Sequence, residues 1–83
     1  MKVQIKYFAS IREAVGTGSE PWQTAASTLG ALRDELIARG GAHAQALARG
    51  RAVRVALNQT MSAEDAALSE GCAVAFFPPV TGG

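Results

Sequence analysis

The sequence predicts an α+β domain over residues 1–77, a single mixed sheet curled around one main helix, followed by an extended tail over residues 78–83. Three observations carry this. Residues Lys2 to Phe8 alternate strictly between two faces, one of them wholly apolar, as in a half-buried strand. One stretch, Leu29 to Arg39, repeats apolar residues at helical spacing. A second alternating run, Ala73 to Phe77, is cut off by Pro78-Pro79, which cannot donate to a β-ladder.

In the first strand Val3, Ile5 and Tyr7 share one face and Lys2, Gln4, Lys6 and Phe8 the other, and the first set is expected to meet the core. Gly16-Thr17-Gly18 is a turn signal, after which Pro21-Trp22-Gln23-Thr24 reads as a second strand closing a hairpin with the first. Thr28 is a fair N-cap. Leu29, Leu32, Leu36 and Ile37 then define an amphipathic helix that Gly40-Gly41 ends, the only long helix expected.

The alanine-rich segment Ala42 to Arg49 allows another helical turn before Gly50. Val53, Val55 and Leu57 alternate with Arg54, Ala56 and Asn58 as a third strand, and Asn58-Gln59-Thr60 reads as a turn. Ser62 to Leu68 is too short for an independent helix and is expected to form a tight helical turn, ended by Gly71. In the last strand Val74 and Phe76 share one face, Ala75 and Phe77 the other. Hairpin, helix, strand, short turns and strand suit a sheet with the first and last strands adjacent at its centre, the β-grasp arrangement.

Size and composition exclude several functions. A chain of 83 residues supports one core and buries roughly 60 to 65% of its unfolded surface, which argues against a deep internal active site. With no apolar run long enough to span a bilayer and no signal-peptide pattern, the expected location is the cytoplasm, with no membrane partner. One cysteine, Cys72, and one histidine, His43, leave neither a disulfide nor a zinc ligand set, so no metal is expected. The net charge of +1 argues against nucleic acid. Arg49, Arg51 and Arg54 are read as a solvated loop and strand face. A nucleophile, a base and an orienting group are not all on offer, so catalysis by this chain alone is not expected.

The tail Pro78-Pro79-Val80-Thr81-Gly82-Gly83 has a chemistry of its own. Two prolines with fixed φ, two residues that favour extension and two glycines without side chains make a narrow probe. Extended, it reaches roughly 20 Å at about 3.3 Å per residue, enough to enter a partner's pocket while the body stays outside. A carboxylate is a poor electrophile. The carboxyl of Gly83 would therefore need a partner enzyme to activate it, for example with ATP as an acyl-adenylate, before a sulfur or amine nucleophile attacks. This chain itself is expected to bind no cofactor.

The tail, Tyr7-Phe8-Ala9 followed by Ile11-Arg12-Glu13, and Leu57-Asn58-Gln59-Thr60 together resemble the small, sulfur-carrying subunits of molybdopterin synthase, a ubiquitin-like family ending in Phe-Phe-Pro-Pro-Val-Ser/Thr-Gly-Gly. The resemblance covers the whole chain, with its most specific block at Val74 to Gly83. It implies that an E1-like enzyme adenylates Gly83 and that a sulfur donor protein converts it to a thiocarboxylate. The tail would then enter the large synthase subunit and deliver sulfur to cyclic pyranopterin monophosphate, within a heterotetramer. One departure is visible: Cys72 and Ala73 follow Glu70-Gly71 where the family commonly carries acidic residues. Cys72 at a strand start is read as a small buried hydrophobe.

Periodicity makes its own statement about docking. Phe8 and Phe77 fall opposite the core faces of strands expected to be neighbours, so an exposed aromatic patch should lie beside the tail. The resemblance points to the same two positions and adds Met61, with Pro78, Pro79, Val80 and Thr81 as the tail's contact residues and Gly82 giving access to Gly83. Three alternatives stand beside this reading: a thiamine-pathway sulfur carrier, a modifier conjugated to lysines through Gly83, and an interaction module with a chemically idle tail.

Overall fold

The computed structural model describes residues 1–79. Within them the order is β1 (Lys2–Tyr7), α1 (Ala9–Val15), β2 (Ser19–Gln23), α2 (Leu29–Ala38), α3 (Gly41–Ala46), β3 (Arg54–Leu57), β4 (Thr60–Ser62) and β5 (Ala73–Phe77). The strands form one sheet in the order β2-β1-β5-β3-β4. β1 and β5 run parallel and the other pairs antiparallel, so the sheet is mixed and the first and last strands are neighbours, as the sequence predicts.

One face of the sheet meets α2. Val3, Ile5 and Tyr7 of β1 and Val74 and Phe76 of β5 are all buried, and they pack with Leu29, Leu32 and Leu36, each 0% exposed. Truncating any of these leucines to Ala would cost about 2–5 kcal/mol, because the surrounding side chains cannot close the cavity. The Thr28 hydroxyl accepts from the Ala31 N–H at the start of α2, which confirms the cap. Cys72 is buried with the core, as expected of a small hydrophobe.

Several boundaries and two elements differ from the sequence reading. α1 was not anticipated: it has no side-chain cap, and its hold on the body is Ile11, buried in the core, with Gly16 at φ 91° ending it. β4 is not among the predicted strands, because three residues show no usable period; the expected turn is confined to Asn58-Gln59, both at positive φ, and Thr60 begins the strand that pairs with β3. The second strand starts at Ser19 rather than Pro21, α2 ends at Ala38, and the third strand is shorter than the alternation suggests, Arg54–Leu57.

The tight helical turn expected over Ser62 to Leu68 contracts to a single turn over residues 63–66. Ser62 belongs to β4, the Ala66 N–H bonds the Ala63 carbonyl in a turn, and Ala67 bridges to Thr28. Here the backbone groups are satisfied by α2's first turn: the N–H groups of Leu29 and Gly30 donate to the Ala66 and Glu64 carbonyls.

Candidate docking site and tail

The site is set by how β1 and β5 leave the sheet. Their parallel register places Tyr7 opposite Phe76, both inward and stacked with centroids 6.2 Å apart. One residue further, alternation turns both chains outward. Phe8 precedes α1 yet keeps an extended backbone (φ −125°, ψ 152°), and its N–H donates to the Phe76 carbonyl at 3.2 Å, prolonging the ladder. Its ring therefore lies against Phe77, nearly parallel at 9° with centroids 4.6 Å apart. Ala9 at φ 51° then swings the chain away into α1.

Small residues make the floor beside this stack. Ala75 of β5 and Ala56 of β3 are register partners on the outward face, and Ala56 pairs in turn with Met61 of β4. Ala56 is buried although it faces away from the core, because Met61 and Phe77 stand beside it. The depression holds about 230 Å³ and is lined by Lys6, Phe8, Ala56, Gln59, Met61 and Phe77 among others. That is below the usual range for enclosing a small substrate and suits one or two apolar side chains of a partner. Phe8 is 40% and Met61 53% exposed, so the walls are open to solvent.

A second depression joins Phe8, Met61, Phe77 and Arg54 to Pro78 and Pro79. Pro78 is half-buried and Pro79 exposed, so the tail starts from the rim of the aromatic patch. Phe8, Met61, Phe77, Pro78 and Pro79 are thus brought together. Val80, Thr81, Gly82 and Gly83 lie outside the described residues, as does most of the tail expected over 78–83. The sequence reading gives no docking role to the alanine floor, Lys6, Gln59 or Arg54; for the alanines, Lys6 and Arg54 the outward register is the available signal.

On the helix side the polar groups are structural. Glu20 of β2 faces inward opposite Ile5; its carboxylate accepts from the Tyr7 hydroxyl at 2.7 Å and from Arg39 at 3.1 Å, and meets His43 Nε2 at 2.9 Å. Burial opposes its ionisation, but the bonds from Tyr7, His43 and Arg39 outweigh that and hold it below the usual carboxylate range. Burial, then the bond to Glu20, pushes the Tyr7 phenol far above its ordinary range, so it stays a neutral donor. Trp22 and Thr24 both donate to Glu35, and Arg39 lies over the Trp22 ring.

Buried Arg33 donates to the carbonyls of Leu47, Ala48 and Arg51 and to Glu64, fixing the segment that leads into β3. All three arginines of the trio are exposed as expected, and Arg49 is in addition paired with Glu64 and Asp34 and donates to the Gly30 carbonyl. Among the described residues no group of three or more His, Cys, Asp or Glu is placed to hold a metal ion.

A ThiS family model matches residues 5–83. The chain is 41% identical over 81 residues to the molybdopterin synthase sulfur carrier subunit of Escherichia coli, covering 98% of this chain and 99% of that one. It is 37% identical to the subunit of the same name in Haemophilus influenzae, with the same coverage. The crystal structure of SAMP1 from Haloferax volcanii, a small archaeal modifier protein, has a TM-score of 0.77 and 28% identity, each chain covered in full. The ubiquitin-like β-grasp fold is common to this chain and its structural relatives.

Proposed function

This chain belongs to the ThiS family, and we propose that it is the sulfur carrier subunit of a molybdopterin synthase. The observation that carries the proposal is the open Phe8–Phe77 stack at the root of a tail whose sequence is Pro-Pro-Val-Thr-Gly-Gly. An apolar anchor beside a narrow, reactive end suits a protein that docks by its body and works by its terminus.

In this reading the Gly83 carboxylate attacks the α-phosphate of ATP on an E1-like enzyme, and pyrophosphate leaves. The outer sulfur of a persulfide on the donor protein displaces AMP to give an acyl disulfide, and a second thiol attacks its donor-side sulfur, so that a disulfide forms on the donor and the thiocarboxylate is released. The large synthase subunit then receives the tail, and the terminal sulfur attacks a side-chain carbon of the pterin precursor, whose oxygen substituent departs as the C–O bond breaks. Water cleaves the resulting thioester, leaving sulfur on the pterin and regenerating the carboxylate. The body is a non-catalytic subunit with no bound cofactor of its own, and catalytic side chains belong to its partners. Gly82 and Gly83 keep the reacting carbon free of steric cover.

The test is the intact mass of the chain after incubation with the activating enzyme, ATP and a sulfur source. A gain equal to sulfur replacing oxygen, absent from a chain lacking Gly83, supports the carrier chemistry. No gain with a demonstrably active enzyme and donor rejects it. A thiamine-pathway carrier would give the same mass but would not supply the large synthase subunit; the Phe76-Phe77-Pro78-Pro79-Val80 run and the relatives at 41 and 37% identity favour the molybdopterin branch. The likeness to SAMP1 favours a second role as a modifier joined to lysines, which would leave covalent adducts that survive denaturation.

A further inference from the structure

The charges of this domain are segregated by the sheet. Of seven side-chain carboxylates, Glu20 is the one carried by a strand among the described residues, and it faces the helices. The outward face carries Lys2, Lys6 and Arg54. Lys6 borders the alanine-floored depression and Arg54 the one that runs under Pro78 and Pro79, so the two stand on either side of the Phe8–Phe77 stack. Arg54 is the register partner of Phe77, and Lys6 that of Ala75. Both are exposed, and neither has an ion-pair partner among the described residues, whereas Arg33, Arg39 and Arg49 each do.

From this arrangement we infer that the large synthase subunit receives the patch with an apolar plug bracketed by two carboxylates, one facing Lys6 and one facing Arg54. The inference rests on the carrier reading above and specifies the chemistry of that partner's surface. Two unpaired cations beside an apolar anchor are costly to cover with a neutral surface, which would strip their hydration without replacement. Opposing carboxylates remove that cost. They also steer the encounter, so that the negatively charged tail end is brought in by its positively charged root. Rim charges of this kind act mainly on the association rate, and the apolar anchor on dissociation.

The experiment measures association and dissociation rates of the intact chain with the purified large subunit across about 0.05 to 0.5 M NaCl. The unmodified chain should associate more slowly as salt rises. Lys6→Glu with Arg54→Glu should slow association by roughly tenfold at low salt, the gap closing at high salt, with dissociation changed less than about threefold. Lys2→Glu, the same charge change as Lys6→Glu at the far end of β1, should stay within about twofold of the unmodified chain. Salt-independent association, or equal slowing by Lys2→Glu and Lys6→Glu, overturns the inference, as does an effect seen with the activating enzyme and absent with the large subunit. Sulfur transfer by the thiocarboxylate form at saturating concentration separates the two levels. If the unmodified chain transfers sulfur while its association ignores salt, only the charged rim is wrong; if it transfers none, the carrier reading fails first.

Discussion

Arg33 reaches across 31 residues of sequence to Glu64, Nη1 to Oε2 at 2.7 Å, from a position on the second helix that is 4% exposed. Its remaining donors go to the backbone carbonyls of Leu47, Ala48 and Arg51. One side chain thus pairs the Leu47 carbonyl and gives a second donor to the Ala48 and Arg51 carbonyls, which also accept from the N–H groups of Arg51 and Val53. Arg33→Met should destabilise the domain by about 2 kcal/mol, because it strands the Leu47 carbonyl, takes one donor from the Ala48 and Arg51 carbonyls and leaves Glu64 with Arg49 alone. Urea unfolding of both chains measures this, and a loss under about 1 kcal/mol would mean that water replaces the guanidinium without cost.

The aromatic stack separates docking from folding. Phe77→Ala should weaken binding to the large synthase subunit by about 2 kcal/mol, roughly thirtyfold in Kd, by raising the dissociation rate. The ring is half-buried and outside the core, so the cost in stability should be near 1 kcal/mol. Calorimetric titration beside a thermal melt checks both numbers.

Removing Gly83 should have the opposite signature. The thiocarboxylate mass gain should vanish while affinity for the large subunit changes less than about tenfold, since the anchor lies in the body. Binding lost together with loading would place most of the recognition in the tail rather than in the patch.

Acid should unfold this domain through Glu20, Glu35 and Glu64. Glu64 is held low first by its bond from Arg49, whereas in Glu20 and Glu35 hydrogen bonds overcome burial. A carboxylate whose folded pKa is depressed adds stability that is complete above its unfolded value, about 4.3, and is lost as pH falls through the folded value. The urea midpoint should therefore be flat from neutral pH to about 5 and fall below about 4.5. Glu20→Gln should lower stability at pH 7 and reduce the slope in the acid limb.

Gln59 pays a conformational cost that glycine would not. It sits at φ 70° in the two-residue reversal between the third and fourth strands, after Asn58 at φ 49°. The Asn58 side chain is committed, accepting from the Ala73 N–H at 2.9 Å, while Gln59 is exposed. Gln59→Gly should stabilise the domain by about 0.5 kcal/mol through the preferred Asn-Gly turn. A lower urea midpoint would instead assign Gln59 a packing role against Met61.

Features that depend on local period and on terminal chemistry are legible in the sequence. Alternation identified the inward faces of the first and last strands, helical spacing and Thr28 located the second helix, and Pro78-Pro79 marked the end of the sheet, because each signal is written in consecutive side chains. The first helix and the fourth strand were illegible for the converse reason. Seven and three residues are too few to hold a conformation unaided, and Ile11 and the pairing of Met61 with Ala56 stabilise them only once the body exists. Arg33 on a helix otherwise buried by leucines reads as an exposed cation until the loop carbonyls converge on it. Alternation likewise pointed Phe8 and Phe77 outward, but their stacking was decided by the parallel register that sets Tyr7 opposite Phe76, since register between distant strands is a property of the packed sheet and not of either strand.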